Sequence, residues 1–439
     1  MVRHLAAVVM AAGLGTRMRS STPKHMHTLL GRRVVDWVLA AVDGLAPEQV
    51  VVVVSPGTED AYEGVEVAVQ REPRGTGDAV AAARPALADG DTSVLVVSGD
   101  SPLLTADVLG ELVAVHERDR ADATVLSFEP ERPLPYGRVV RGRDGSLEAI
   151  VEDRDATPEQ RAIRELNSSI YVFRAAALWP ALEAIDADNV QGELYLTDAV
   201  GGIVAAGGKG AVYLCEDELA PMGVNTRADL AFAAAVLRDR INEEHMLVGV
   251  TIVDPATAWI EADVELEPDV VVHPFSVLRG RTRVAEGAQI GPHVVADDAA
   301  IGARAVVGPF CYLRPGTVLE AGAKAGTFVE IKNSRIGERS KVPHLSYIGD
   351  ADIGEDTNVA AANVTANFGH RPGPKKRTAI GRNVKTGVDN TFVAPVTVAD
   401  DAWIAPGTVV TDDVPEGALA GFAPRQVNKE GYVHRDRND

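Results

Sequence analysis

The sequence has little cysteine, with Cys215 and Cys311 the two in 439 residues. Two thiols cannot build a disulfide framework or a cysteine zinc site, and so few fit the reducing cytosol. The chain starts MVRHLAAVVMAAG, in which the apolar run is too short for a secretory signal or a membrane span. We therefore expect a cytoplasmic protein, with no membrane partner, whose first strand lies near its beginning.

Basic residues are also in deficit, since 43 lysines and arginines face 63 aspartates and glutamates, for a formal net charge of −20. A chain this acidic repels polyanions, which argues against nonspecific binding to nucleic acid or to an anionic membrane. Any anionic ligand must then be held by a local basic site. The length and the 46% hydrophobic content predict a globular protein of two or three domains with a substantial core.

The glycine-rich stretch MAAGLGTRM, residues 10–18, lacks the features of the common nucleotide loops. The dinucleotide pattern needs a third glycine and the P-loop needs Gly-Lys-Ser/Thr, whereas here Gly15 is followed by Thr-Arg-Met. A turn of this kind can still offer backbone N–H groups to phosphate oxygens, with Arg17 adding charge. An ordinary tight turn is the alternative, and the stretch by itself does not decide between the two.

Up to about residue 230, apolar runs alternate with helix-like stretches, which indicates a mostly parallel sheet covered on both faces. The predicted strands are LAAVVM, VVVVS, SVLVVSGD, ATVLSF and SSIYVF. Ligands of such sheets bind at the carboxyl ends of the strands, where the glycine turn and Asp100 would both lie. Residues 226–247 start Thr-x-x-Asp and have helical spacing, so they predict a long helix joining the two halves.

From about residue 250, apolar residues recur every six positions. The series starts Val272, Leu278, Val284, and many of its members are followed by glycine. Such hexads predict a parallel β-helix with three faces per coil. Residues 363–380, NVTANFGHRPGPKKRTAI, interrupt the repeat and predict a binding loop held in place by rigid coils. A passive spacer is the alternative for such a solenoid.

Together the two halves resemble one family over nearly the whole chain, the bifunctional N-acetylglucosamine-1-phosphate uridyltransferase/glucosamine-1-phosphate acetyltransferases of bacterial cell-wall precursor synthesis. Motifs in the family's order carry the resemblance, among them AAGLGTRM, PK, GTG, GD, YGR, IVED, LNSS, GVNTR, LRPG, VEIKNS and PHLSYIGDA. The resemblance implies an α/β protein. A Rossmann-like nucleotidyltransferase domain (1–226) and a connecting helix (227–249) precede a left-handed β-helix of hexapeptide repeats with a C-terminal tail (250–439).

By this resemblance, the first domain transfers UMP from UTP to N-acetylglucosamine 1-phosphate and releases pyrophosphate. Arg17 and Lys24 would stabilise charge on the α-phosphate. Asp100 and Asn225 would hold Mg²⁺, a hard cation that prefers oxygen ligands. The implied nucleotide contacts are Ala11, Ala12, Gly13, Gln70, Gly75 and Thr76, with Gln70 reading the uracil edge. The implied sugar-phosphate contacts are Gly137, Glu152, Asn167 and Asn225.

From the residues alone, two of these roles have plain alternatives. Lys24 has the character of a solvated surface lysine, although Pro23 fixes the approach to it. Asp100 has the character of a turn residue that caps the following helix.

In the β-helix, the resemblance implies transfer of an acetyl group from acetyl-CoA to the amine of glucosamine 1-phosphate. His344 would take the proton, since the pKa of histidine suits that task near neutrality. An isolated histidine beside Pro343 and Leu345 is more often structural. The implied acceptor contacts are Arg314, Lys332, Tyr347 and Asn358.

The acetyl-CoA contacts depart from the family's pattern. The expected set is Ala361, Asn367, Phe368, Val388, Pro406 and Arg425. Phe368 stands at a usual tyrosine, Val388 at a usual serine and Pro406 at a usual alanine, while Ala423 stands where an arginine is usual. Each lost hydroxyl removes a hydrogen bond worth about 0.5–1.5 kcal/mol, which predicts weakened but not abolished CoA binding.

Three hypotheses follow. The first is the full bifunctional enzyme, with small-molecule partners and homotrimeric assembly that places acetyl sites between chains, as the family implies. The second is a paralogue that keeps nucleotidyl transfer to an amino-sugar 1-phosphate with an altered or lost acetyl-CoA site. The third makes the β-helix a scaffold or a metal-dependent hydratase; it ranks last, because the histidines show no zinc-ligand spacing.

Overall fold

The computed structural model describes residues 4–13, 15–87, 92–132, 134–143, 145–369, 373–421, 428 and 430. The chain divides into two compact units, one up to Leu237 and one from Arg238 onward. The division falls within the helix Arg227–Leu247, which forms where the sequence predicts a helix over 226–247. In the described part of the chain, no helix is both long enough and apolar enough to cross a membrane.

The first unit is built on a sheet of nine strands flanked by helices. Its strands, numbered with those of a small hairpin (β2 and β3), are β1 His4–Ala11, β2 Thr28–Leu29, β3 Arg32–Arg33, β4 Gln49–Val54, β5 Glu66–Val69, β6 Thr92–Ser98, β7 Ala123–Phe128, β8 Arg138–Arg141, β9 Leu147–Val151, β10 Leu166–Arg174 and β11 Gly210–Leu214. The helices are α1 Val34–Asp43, α2 Thr76–Ala83, α3 Ala106–Asp119, α4 Pro158–Arg161, α5 Ala175–Ala184, α6 Leu196–Ala205 and α7 Arg227–Leu247.

The sheet order β11-β7-β10-β6-β1-β4-β5 is mostly parallel, as predicted. The exception on this path is β10, which runs antiparallel to β6 and β7. Strands β1 and β6 are parallel neighbours, with Met10 opposite Ser98. The loops that follow these two strands therefore leave the same edge of the sheet, and the glycine turn and Asp100 both lie there, as the sequence predicts.

The core of this unit has one layer on each side of the sheet, because neighbouring residues of a strand point to opposite faces. On one side, Val8 and its equivalents on β4 and β6 pack with residues of α2, α5 and α6. On the other side, Val9 and its equivalents pack with residues of α1 and α3. The central strands are thus buried on both faces, which explains their continuous apolar sequence.

The second unit is a left-handed parallel β-helix with three faces. The first face holds Thr251–Ile252, Val271–Val272, Gln289–Ile290, Val306–Val307, Lys324–Thr327 and Lys341–His344, followed by Lys385–Thr386, Trp403–Ile404 and Leu419–Ala420. The second face holds Trp259–Ile260, Val277–Arg279, Val294–Asp297, Cys311–Leu313, Glu330–Lys332, Tyr347–Gly349, Val364–Ala366, Thr391–Val393 and Val409–Val410. The third face holds Glu265–Leu266, Arg283–Val284, Ala300–Ile301, Val318–Leu319, Arg335–Ile336, Ala351–Ile353, Thr378–Ile380 and Val396–Val398.

The sixfold series of the sequence is the inward row of these faces. Its members are buried from Val272, which is 0% exposed, to Val410, which is 4% exposed, and they include Thr386 at 6%. Successive coils stack in parallel register, for example Val272 on Ile290 and Ile290 on Val307. Each coil therefore buries its apolar residues against the next, and the predicted β-helix is confirmed.

The excursion is narrower than its predicted span of 363–380. Val364–Ala366 and Thr378–Ile380 remain strands of the second and third faces, because each pairs with the coil that follows. The departure from the coil thus lies between Asn367 and Arg377, and residues 370–372 within it lie outside the described part of the chain.

Glycines follow the inward residue at one corner of the third face because the coils stack closely there. A Cβ on Gly337 would lie 2.6 Å from the backbone carbon of Gly354, and one on Gly354 would lie 2.6 Å from that of Gly381. Real Cβ atoms do not approach backbone this closely, so the Ile-Gly pairs of the third face are a packing requirement.

We predict that Gly354→Ala destabilises the β-helix by about 1–3 kcal/mol, because the added methyl forces stacked backbones apart. The midpoint of urea denaturation, followed by circular dichroism, measures the effect. Gly369→Ala is the matched control, since a Cβ at Gly369 meets no atom within 4 Å. Equal midpoints for the two variants would contradict the packing argument.

Candidate active sites

The glycine turn after β1 packs directly against Lys24. Gly15 has a φ of +61°, and a Cβ there would lie 2.7 Å from the Cβ of Lys24. A Cβ on Gly13 would lie 3.8 Å from the Cε of the same lysine. The left-handed backbone and this close approach both favour glycine at position 15, which allows the Pro-Lys segment to pass beside the turn.

Four of the predicted residues meet at this edge of the sheet. Lys24 forms an ion pair with Oδ2 of Asp100 and lies 3.3 Å from Oδ1 of Asn225. Arg17 donates to the same Asn225 oxygen at 2.8 Å. The hydroxyl of Ser98, which sequence reasoning missed, donates to Oδ1 of Asp100 at 2.6 Å. Two cations and two oxygen ligands from distant parts of the sequence are thus in mutual contact.

The environment of Asp100 keeps it ionised. Burial by itself would raise the pKa of this carboxyl, but the charge and hydrogen bond of Lys24 and the hydroxyl of Ser98 outweigh burial and hold the pKa below its usual value. The alternative role of helix cap is taken by Thr105, whose side chain accepts from the N–H of Val108 at the start of α3.

The donor set fits Mg²⁺. A carboxylate oxygen of Asp100 and the amide oxygen of Asn225 both face the Lys24 ammonium, so two hard oxygen ligands converge on one point. Magnesium commonly takes one or two carboxylates and keeps several waters. Over the described residues, no group of three or more His, Cys, Asp or Glu side chains is placed to hold a metal ion.

The predicted nucleotide contacts Gln70, Gly75 and Thr76 are also brought together. The side-chain amide of Gln70 donates to the carbonyl oxygen of Gly75 at 3.0 Å. Gly75 has a φ of +120°, and a Cβ there would lie 2.5 Å from the carbonyl oxygen of Leu194. The Thr76 hydroxyl accepts from the N–H of Leu196 at 3.0 Å. Close packing and a hydrogen bond therefore hold the start of α2 against the segment where α6 begins.

The predicted sugar contacts Gly137, Glu152 and Asn167 form a second cluster. The N–H of Asn167 donates to the carbonyl oxygen of Gly137 at 2.8 Å, and its side-chain amide donates to the hydroxyl of buried Tyr171 at 2.8 Å. Thr197 donates to Glu152 at 3.1 Å. Burial raises the pKa of Glu152 above its usual value, and the nearby carboxylates add to that shift while the Thr197 hydrogen bond opposes it.

Two ion pairs that sequence reasoning missed hold the strands of this cluster. Arg138 lies 2.9 Å from Asp153, next to Glu152. Arg141 lies 2.6 Å from Glu165, two residues before Asn167. Three of the four partners fall inside or beside the motifs YGR, IVED and LNSS, so proximity to those motifs was the available signal.

On the second face of the β-helix, the predicted acceptor residues lie among further polar groups. Arg314 forms an ion pair with Glu330 at 2.9 Å. Asn367 donates to Asp350 at 2.5 Å and lies 3.4 Å from the hydroxyl of Tyr347. Glu330 and Asp350 were not singled out from the sequence, although both fall inside quoted motifs.

Charged side chains lie close together in this cluster on the second face. The nearby Lys375 ammonium lowers the pKa of Lys332, which also faces Asp350. Burial opposes ionisation of Asp350, but the amides of Asn333 and Asn367 and the charge of Lys332 hold its pKa below the usual value. Asn367, expected at the acetyl-CoA contacts, therefore lies with the acceptor residues.

Two further acceptor residues lie elsewhere on the coil. His344 is exposed at the corner where the first face ends, three residues before Tyr347. Asn358 is exposed on the first face, in parallel register with Lys341 and Lys385. Within the described residues, no hydrogen bond joins Asn358 to the cluster on the second face.

Three predicted acetyl-CoA residues line up along one corner. The N–H of Asp389, next to Val388, donates to the carbonyl oxygen of Ala361 at 2.9 Å. The N–H of Gly407, next to Pro406, donates to the carbonyl oxygen of Val388 at 2.9 Å. Phe368, in the excursion, is 84% exposed. Arg425 lies outside the described residues.

The first unit thus has the architecture of a nucleotidyltransferase, and the second is a left-handed β-helix that carries its own polar cluster. A family model described as the MobA-like NTP transferase domain matches residues 7–195. The chain is 46% identical to the bifunctional protein GlmU of Mycolicibacterium vanbaalenii, over 99% of this chain and 94% of that protein. It is 46% identical to that of Streptomyces coelicolor and 43% identical to that of Corynebacterium aurimucosum, each over 99% of this chain and 95% of the relative.

With this identity over almost its full length, the chain belongs to the GlmU family of bifunctional proteins. The resemblance expected from its motifs is confirmed.

His25, next to Lys24, is a buried histidine whose two ring nitrogens have no hydrogen-bond partner among the described residues. Burial and the Lys24 charge lower its pKa from 6.5 to about 4. Between these two pH values the His25 side chain binds a proton in the unfolded chain but stays neutral in the native protein. The free energy of unfolding of the wild-type protein should therefore fall by up to about 3 kcal/mol, because of His25, as the pH falls from 6.5 to 4.

Urea denaturation midpoints across this pH range test that loss. His25→Leu should remove this part of the pH dependence, whereas His4→Leu, at an exposed histidine, should retain it. An unchanged pH profile in His25→Leu would show that His25 does not remain neutral in the native protein.

Proposed function

We propose that the chain carries out two transfer reactions: UMP from UTP to N-acetylglucosamine 1-phosphate, and an acetyl group from acetyl-CoA to glucosamine 1-phosphate. Membership of the GlmU family supports both reactions, and the NTP transferase domain at residues 7–195 supports the first. The observation that carries the first reaction is the contact of Arg17 and Lys24 with Asp100 and Asn225. The reactions would divide between residues 1–226 and 250–439, with 227–249 as the connecting helix.

In the first reaction, an oxygen of the sugar 1-phosphate attacks the α-phosphorus of UTP in line, and pyrophosphate leaves. A phosphate monoester is already ionised at neutral pH, so the site needs no general base. Its task is to hold two polyanions together in a chain of net charge −20. Positioning and charge stabilisation supply most of the catalysis in such reactions.

The chain's own cations do this work at named atoms. Lys24 Nζ and the Arg17 guanidinium, which bind Asp100 and Asn225 in this structure, would turn to the phosphate oxygens when UTP enters. Mg²⁺ bound by Asp100 and Asn225 would supply further positive charge between the phosphates. The backbone around Ala11, Ala12 and Gly13 would donate to the triphosphate.

The remaining predicted contacts would orient the two substrates. Gln70, Gly75 and Thr76 would hold the uridine, with the Gln70 amide at the base edge. Gly137, Glu152 and Asn167 would hold the amino sugar, and the hydrogen bonds of Tyr171 and Thr197 keep two of these side chains in place.

In the second reaction, the glucosamine amine attacks the thioester carbonyl of acetyl-CoA. The carbon–sulfur bond breaks, CoA leaves as the thiolate, and His344 takes the proton of the amine and returns it to the sulfur. Arg314 and Lys332 would bind the sugar phosphate, and Tyr347 and Asn358 the sugar. Ala361, Asn367, Phe368, Val388, Pro406 and Arg425 would contact acetyl-CoA.

A paralogue with an altered acyl donor is the second candidate for this half. Two features favour it: the exposed Phe368 has no hydroxyl, and the aligned corner residues Ala361, Val388 and Pro406 carry no hydrogen-bonding side chain.

We also propose the homotrimer. Asn358 lies on the first face and Arg314, Lys332 and Tyr347 on the second, so the predicted acceptor set is not gathered on one face of a single chain. Phe275, His293, Phe310 and Phe328 also form an exposed stack along the corner between these faces, with ring centroids 4.8 to 5.3 Å apart. A neighbouring chain would complete the site and cover part of this stack.

Two assays on one preparation test the function: thiol release from acetyl-CoA with glucosamine 1-phosphate, and pyrophosphate release from UTP with N-acetylglucosamine 1-phosphate. We expect both. Pyrophosphate release without thiol release would favour the paralogue, and loss of both would contradict the proposal.

Lys24→Met should slow pyrophosphate release about 10²-fold or more, because it removes a charge placed for the transition state. Lys209→Met is the matched control, since Lys209 precedes β11 at the opposite edge of the sheet. An undiminished rate in Lys24→Met would contradict the assigned role.

His344→Asn should slow thiol release about 10²-fold or more, the usual contribution of a general base, and leave pyrophosphate release unchanged. His273→Asn, on the first face of an earlier coil, should change neither rate. Parallel loss of both activities in His344→Asn would indicate a structural role for this residue.

A further inference from the structure

The side-chain amide of Gln70 has its orientation fixed by two acceptors. Its nitrogen Nε2 donates to the carbonyl oxygen of Gly75 at 3.0 Å and to Oδ2 of Asp78 at 2.9 Å. A primary amide has two N–H groups, so both are used. No described residue donates to the amide oxygen Oε1. Gln70 therefore has an acceptor, and no donor, to offer a ligand.

Asp78 is itself held in place. Its Oδ1 accepts from the Arg74 guanidinium at 2.9 Å, while Oδ2 faces Gln70. The Asp78 side chain is 16% exposed, and Gln70 is 7% exposed. A hydrogen bond donated to a charged acceptor is stronger than one donated to a neutral acceptor, so the Asp78 carboxylate stabilises this orientation of the Gln70 amide. Turning the amide over would set its oxygen against a carboxylate and a carbonyl.

We propose that Asp78 sets the base specificity of nucleotidyl transfer by holding the Gln70 carbonyl oxygen toward the base. This inference rests on the proposed function and on Gln70 facing the pyrimidine. Uracil offers an N–H at N3, which a fixed acceptor binds. Cytosine offers a lone pair at the same position, which a fixed acceptor repels. Asp78 is thus a positioning residue that acts through Gln70 and discriminates uridine from cytidine nucleotides.

Without the carboxylate, the amide loses one of its two fixed hydrogen bonds, and the reversed orientation becomes accessible. The reversed amide presents an N–H group to the base, and this group can donate to the lone pair at N3 of cytosine. We expect Asp78→Ala to reduce the ratio of kcat/KM for UTP to that for CTP about tenfold or more, with the change mainly in KM because the reacting phosphates are untouched.

The test measures pyrophosphate release with UTP and with CTP for wild type, Asp78→Asn, Asp78→Ala and Asp107→Ala. Asn keeps the shape and one neutral acceptor, so its ratio should lie between those of wild type and Ala. Asp107→Ala is the matched control because Asp107 is likewise an acid in the first turn of a helix, α3, and it should leave the ratio unchanged. Circular dichroism shows whether each variant folds, and Asp78→Asn carries the test if Asp78→Ala does not.

An unchanged UTP/CTP ratio in folded Asp78→Ala and Asp78→Asn, with UTP still used, overturns this inference and leaves the proposed function intact. Equal loss of turnover with both nucleotides also overturns it, since that is the result of a structural role. Absence of pyrophosphate release from UTP in wild type would instead remove the proposed function and this inference together.

Discussion

Lys24 and Asp100 lie 76 positions apart in the sequence, and the ion pair between them is the contact on which the first site depends. It exists because β1 and β6 are parallel neighbours, so the loops after both strands meet at one edge. Glycine at position 15 gives the lysine room to reach that edge. In a chain with 20 more acidic than basic charges, the proposed binding of a polyphosphate requires such a local concentration of cations.

The same contact explains how a buried carboxylate is stabilised. Burial by itself would raise the pKa of Asp100 and favour its neutral form, but the lysine ammonium and the hydroxyl of Ser98 keep it ionised. In this structure the cations Lys24 and Arg17 occupy the oxygen atoms that the proposed metal ion would use. When nucleotide and metal bind, Lys24 and Arg17 would therefore exchange their carboxylate and amide partners for phosphate oxygens within the same cluster. The sheet already holds the residues of this cluster close together.

The β-helix follows from a different constraint, the stacking of identical coils. Nearly every residue of the sixfold series is apolar because it faces the interior, and glycine follows it where the backbones of successive coils touch. This repeat leaves outward positions such as Arg314, Lys332 and Tyr347 free to carry chemistry. The cost of the architecture is that one chain displays its polar residues on separate faces, which is why Asn358 lies away from the others.

Most residues of the two proposed sites were predicted from the sequence, although not their contacts. The motif residues were predicted from the family whose motifs the sequence resembles, and the glycine turn and Asp100 also from their place at the carboxyl ends of predicted strands. Ser98, Asp78, Glu330 and Asp350 were missed because a lone serine or carboxylate has no local sequence signature of its own. Their importance comes from the side chain that they touch, and that partner is set by strand order or coil register.

By itself the sequence determined the two architectures, the near-absence of disulfide chemistry and the family, because periodicity and motif order are properties of the chain read in one dimension. The tertiary structure alone decided which charges neutralise each other, which way the Gln70 amide points, and which face carries each acceptor residue. These depend on atoms within about 3 Å of one another, and a hydrogen bond is sensitive to distance and angle in a way that sequence separation does not record.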